Sequence, residues 1–197
     1  MATTRENRTI SDFKSRLVGG GARPNLFEVR MTDLPDFVED WPSETFQFMC
    51  KAAALPASNI AAIDVPFRGR IFKVAGDRTI DTWTITVIND EDFRIRNAME
   101  QWMDGIAKLS NNLGATNPSA YMRNATVFQL GRGATPRSVN SDGERNAVLA
   151  EYEFIDIFPT NISQIDLSYD SSDTIEEFTV EFQVQSFNLN EAGGPDD

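Results

Sequence analysis

The residues able to do chemistry in this chain of 197 are few, and their spacing favours structural roles. There is no histidine, so the commonest general base is missing, and the single cysteine, Cys50, excludes an internal disulfide. Cys50 falls on the apolar side of a short alternating segment, where it reads as a small buried hydrophobe rather than a nucleophile. Glu151 and Glu153 form the kind of carboxylate pair that glycoside hydrolysis uses, but two residues apart on a strand they share one face and no pocket is evident around them. Asp166, Ser168, Asp170, Thr174 and Glu177 fall at positions 1, 3, 5, 9 and 12 of a calcium-loop pattern. Ser171 stands where that loop needs glycine and strands flank the segment, so a polar β-hairpin turn is the better reading and no metal is assigned. The glycines near Gly131 precede no Lys-Ser or Lys-Thr pair, which removes a phosphate-binding loop. Neither catalysis nor a cofactor is expected.

The elements that must position these residues are mainly strands. From Asp81 to Asn89 the side chains alternate, with Trp83, Ile85 and Val87 on one face and Thr82, Thr84 and Thr86 on the other. Gly76 and Asp77 before it suit a tight turn. Phe46, Phe48 and Cys50 read as one face of a short strand, and Val148, Ala150, Tyr152 and Phe154 as one face of another. A single strand is expected from Thr174 to Asn188, with Phe178, Val180, Phe182 and Val184 inward and Glu177, Thr179, Glu181, Gln183 and Gln185 outward. The period changes only once. Ile95, Met99, Trp102, Ile106 and Leu109 recur at helical spacing, with Asn89 and Asp92 as a polar start, and Gly105 weakens that helix by roughly 1 kcal/mol relative to alanine. One helix among many strands predicts a mainly β fold, a β-sandwich or barrel with one packed α-helix.

The length suits one β domain, expected over residues 22–188, between a flexible N-terminal arm at 1–21 and a flexible acidic tail at 189–197. No stretch approaches the roughly 20 apolar residues that span a bilayer, and the polar start lacks a signal peptide's apolar region, so membrane insertion is not expected and synthesis in the cytoplasm is. The net charge of −12 is unevenly placed: residues 146–197 hold 12 acidic side chains and no basic one, while residues 1–145 balance 18 against 18. A region without Lys or Arg cannot neutralise phosphates, so that part of the surface should repel DNA. The connections from Pro56 to Arg70 and from Leu130 to Arg145 read as long loops, and residues 32–44 as a surface insertion.

Four runs carry a resemblance. VAGDRTIDTWTITVINDE from Val74 to Glu91, ARPNLFEV from Ala22, CKAAALPAS from Cys50 and FPTNISQIDLSYDS from Phe158 are similar, in order, to the tail tube proteins of contractile-tailed, T-even-like bacteriophages. The resemblance implies a structural virion protein of the inner tail tube. Hexameric rings of it would stack inside the sheath, and each subunit would give strands to a continuous lumen barrel that conducts the genome into the host. The implied partners are further copies of the chain, the sheath, the baseplate and tape-measure proteins, and double-stranded DNA passing without specific binding. On that basis Glu177, Thr179, Glu181, Gln183 and Gln185 are candidates for the lumen wall. Arg68, Arg70, Arg132 and Arg137 are candidates for contacts between subunits. A tube-initiating or capping protein of the same tail, a subunit of a related contractile injection tube, and a β-sandwich ligand-binding module are the alternatives.

Overall fold

Apolar side chains at every second position decide the two largest layers of the fold. The computed structural model describes residues 9–17, 21–132 and 148–191. In chain order the elements are α1 (Ile10–Arg16), β1 (Phe27–Arg30), α2 (Ser43–Met49), β2 (Cys50–Ala53), β3 (Ser58–Phe67), β4 (Arg70–Ile80), β5 (Trp83–Ile88), α3 (Arg94–Ile106), α4 (Pro118–Tyr121), β6 (Arg123–Leu130), β7 (Val148–Ile162), β8 (Glu177–Gln183) and β9 (Ser186–Glu191). The strands of the body run antiparallel in the order β1-β6-β7-β8-β5-β2, with β9 also on β7.

The 15-residue β7 belongs to both layers. Its first half lies between β6 and β9, and its second half pairs with β8. Between the halves Asp156 adopts a left-handed φ of 54°, and its backbone N–H donates to Asn124 Oδ1 at 3.1 Å, so the strand bends there. The inner faces then meet: Trp83 of β5 stacks on Phe154 of β7 with ring centroids 4.5 Å apart, and Phe154 contacts Phe187 of β9. Trp83, Ile85, Val87, Phe178, Val180, Phe182 and Val184 are all buried as the alternation requires. This is the mainly β sandwich with a packed helix that the pattern predicts, and α3 is the one long helix among the described residues.

Helix α3 packs through Ile95, Ala98, Met99 and Trp102, all buried, and Trp102 Nε1 donates to the Tyr121 carbonyl at 2.7 Å. It starts later than its sequence indicates. Phe93 caps it in the left-handed region with no side-chain hydrogen bond, and Leu109 lies beyond its end, 98% exposed. Gly105 is explained by the 32–44 insertion, which folds back onto α3 rather than projecting. A Cβ on Gly105 would stand 2.1 Å from the Phe37 ring, Leu34 is buried, and the Glu39 N–H donates to Gln101 Oε1.

Four other expectations are corrected. Phe46 and Phe48 lie on α2, not a strand, so Phe46 is buried while Phe48 is 81% exposed. Helical spacing in so short a segment looks like alternation when only three residues are compared. Gly76 and Asp77 lie inside β4, near the point where the β3–β4 register shifts, and not in a turn. The run from Thr174 to Asn188 is two strands, because after Gln183 the chain leaves the β8 ladder and rejoins β7 as β9, which continues to Glu191. The stretch from Pro56 to Arg70 is not a loop but most of a hairpin.

Candidate assembly surfaces

Strands β3 and β4 pair only with each other, as a two-stranded sheet standing off the body. At about 3.4 Å per residue its ten-residue strand extends roughly 33 Å. The turn is two residues long: Phe67 pairs with Arg70, and Arg68 and Gly69 both have positive φ, at 44° and 79°. That is the backbone of a type I′ turn, whose twist matches the strands, and glycine supplies its second position without strain. Register places Ile63 opposite Val74, Val65 opposite Phe72, and Phe67 next to the tip on the same face. These five side chains are between 41% and 67% exposed. The reverse face is mixed, with Asp64 and Lys73 paired at 2.7 Å beside Pro66 and an exposed Ile71. An isolated hairpin is marginal in water and a contiguous exposed apolar face marks an interaction surface, so this arm is built to be covered by something else.

The arginines proposed for subunit contacts separate accordingly. Arg68 is at the hairpin tip, its guanidinium 5.5 Å from the Phe67 ring centroid, and Arg70 opens β4. Arg132 is exposed just after β6, remote from the hairpin in the chain, and Arg137 lies outside the described residues, as does most of the connection from Leu130 to Arg145.

The second surface is the outer face of β5 and β8. Thr84 stands opposite Glu181, Thr86 opposite Thr179 and Ile88 opposite Glu177, so the polar sides of both strands line up. Gln183 continues this face, whereas Gln185 lies past the end of β8 in the step to β9. Glu177 is ion-paired with Lys51 of β2, reaching across β5, while Glu181 has no cationic partner among the described residues. The face is polar and hydroxyl-rich, with less free negative charge than its glutamates indicate.

The remaining carboxylates do not assemble into a site. Glu151 and Glu153 stand opposite Phe128 and Thr126 on the open outer face of the other layer. The segment carrying Asp166, Ser168 and Asp170 joins the antiparallel neighbours β7 and β8, and Ser168 is used in turn hydrogen bonds to the backbone N–H groups of Asp170 and Ser171. Among the described residues no group of three His, Cys, Asp or Glu is placed to hold a metal ion, and no helix is long and apolar enough to cross a membrane.

The family model for phage tail tube proteins matches residues 22–190. Tail tube protein gp19 of Enterobacteria phage T4 is 36% identical over 162 residues, covering 82% of this chain and 88% of the relative, and gp19 of phage T6 matches to the same extent. In structure, the tube-terminating cap of the anti-feeding prophage is similar with a TM-score of 0.59 at 17% identity, over 98% of this chain and 100% of that one. The sheath-tube complex of the extracellular contractile injection system PVC contains a chain similar with a TM-score of 0.55 at 13% identity, over 93% and 99%. At those identities the structural likeness is one of fold.

Proposed function

This chain belongs to the phage tail tube protein family and its role is structural, in the tube of a contractile tail; from that premise we propose that it assembles into hexameric rings that stack into the inner tube and conduct the genome during contraction. The observation that carries this reading is the β3–β4 arm. The five exposed apolar side chains of one face find no cover among the described residues, and a ring of identical subunits supplies cover by symmetry, each arm lying on the next copy. Arg68 and Arg70 at the tip add cationic contacts for acidic surfaces, of which residues 146–197 provide many. The open edges of β1, β2 and β9 are available for pairing between copies, so that ring closure leaves no strand edge free.

The outer face of β5 and β8 supplies the lumen wall in this reading. Threonines, Gln183 and Glu181 make up most of it, and Lys51 beside them is held in its pair with Glu177, so double-stranded DNA slides without binding. Sheath, baseplate and tape-measure proteins are the partners, and the virion tail is the location. Electron microscopy of the purified protein at high concentration, with and without a baseplate-like nucleus, tests the proposal. Six-fold rings or tubes with an open bore are expected. A protein that stays monomeric at every concentration and fails to extend a nucleated tube overturns it, and favours a capping or initiating role.

A further inference from the structure

The N-terminal helix α1 precedes the family-matched region, which begins at residue 22. It has a well-formed start and, among the described residues, no buried side chain. Thr9 and Asp12 close a capping box, with Asp12 N–H donating to Thr9 Oγ1 and Asp12 accepting from the Thr9 N–H at 3.1 Å. Ile10, Phe13 and Leu17 fall on one face at helical spacing and are 75%, 64% and 44% exposed. Seven residues are too few for a helix to persist on propensity, so such a stripe needs an apolar surface to hold it.

A surface of matching chemistry lies between α3 and the end of β7, a groove of about 550 Å³. Met103, Ile106, Leu109 and Ile162 supply its apolar lining, and Glu100 and Asp104 its acidic rim. Glu100 is paired with Arg96, but Asp104 has no cationic partner among the described residues. The arm is the complement in charge: residues 1–21 carry Arg5, Arg8, Lys14 and Arg16 against Glu6 and Asp12, a net of two positive charges in a chain whose total is −12. Lys14 borders the Phe13 stripe and supplies a cation suited to the acidic rim.

Reach and the bend of β7 bear on whose groove is filled. The arm is anchored at Arg23, whose carbonyl accepts from Gln129 Nε2 at 2.8 Å, and Gln129 stands opposite Ala150 near the start of β7. The groove lies beside residues 159–162, roughly 35 Å further on as measured along the path of the strand at about 3.3 Å per residue, beyond the bend at Asp156. An extended chain from Arg23 back to Leu17 spans at most about 20 Å, and the helical rise from there to Phe13 adds about 6 Å. We propose that α1 of one subunit docks by its Ile10-Phe13-Leu17 stripe into the α3–β7 groove of a second copy of the chain. The inference rests on the ring-forming reading above, since a neighbour must be present to receive the arm.

Two variants with one added cysteine each test it, Phe13→Cys and Leu109→Cys, both at exposed positions and both in a background whose Cys50 is buried. The two chains are mixed, assembled, oxidised mildly and separated without reductant. A disulfide-linked 13–109 pair of chains is the expected product. Rings or tubes that form without it overturn the arm exchange and leave the tube reading intact, while a chain that neither assembles nor cross-links overturns both. A chain carrying both cysteines that closes only internally also overturns the exchange. In the same assay Phe13→Asp, with unchanged circular dichroism, should raise the concentration needed for assembly about tenfold, as expected for loss of a buried aromatic anchor. An unchanged concentration counts against the proposal.

Discussion

Gly105 shows how a single residue can be misjudged when only its own element is considered. Within α3 it costs roughly 1 kcal/mol of helix propensity, yet the Phe37 ring occupies the space a Cβ would take. Gly105→Ala should therefore destabilise the subunit by about 1–3 kcal/mol through overpacking, measured by urea denaturation. In a Phe37→Ala background the same change should stabilise by up to about 1 kcal/mol, because only the propensity term remains. A substitution with the same sign in both backgrounds would show that the ring is not the cause. Cys50 is a second test at this scale. Burial pushes its thiol up to about 12, so at pH 8 it is almost entirely protonated in the folded protein. Iodoacetamide at that pH should label the urea-unfolded chain rapidly and the folded one hardly at all, and rapid labelling of the folded chain would mean that β2 opens readily.

Among the elements, β5, β7, β8 and α3 were legible because each buries one face against the rest of the chain, and burial imposes the period from which they are read. Trp83, Ile85 and Val87, or Phe178, Val180 and Phe182, are buried as their alternation requires. The hairpin was missed for the opposite reason. Its apolar side chains stay exposed and follow no core of the described residues, so the turn glycine Gly69 and the residues around Pro66 read as loop. The type I′ pair Arg68-Gly69 between alternating Ile63, Val65, Phe67 and Phe72, Val74 was the available signal. Helix α2 resembles a strand in sequence because its seven residues show too few turns to establish a period. The proposed cover of the hairpin by other copies has a direct test. Val65→Asp with Phe72→Asp places charges on the exposed apolar face without touching the core, so the monomer's melting temperature should stay within a few degrees. Assembly should be abolished, read by sedimentation and microscopy, and normal rings from this variant would remove the arm from the interface.

For the whole molecule the decisive question is which surface faces the bore. The uneven charge of the chain does not settle it alone, since two isolated charges about 10 Å apart in water repel by only about 0.4 kcal/mol, and salt reduces this further. Repetition changes the magnitude: a side chain on the bore recurs with every subunit of every ring, so a modest local change becomes a continuous band along the path of the DNA. Glu177 is a poor probe of this, because its replacement would also break the pair with Lys51 and disturb β2 against β8. Thr179 and Glu181 are better, being partly exposed on the same face. Thr179→Lys with Glu181→Lys should leave subunit stability near its original value and permit tube assembly, while converting the proposed wall from slippery to phosphate-binding. Tubes of this variant should retain DNA at low salt and release it as salt rises, and virions carrying them should eject their genome slowly or incompletely. If such tubes assemble, ignore DNA at low salt and deliver genomes at the normal rate, the β5–β8 face is directed away from the bore, and the outer face of the other layer, with Glu151 and Glu153, becomes the wall to test.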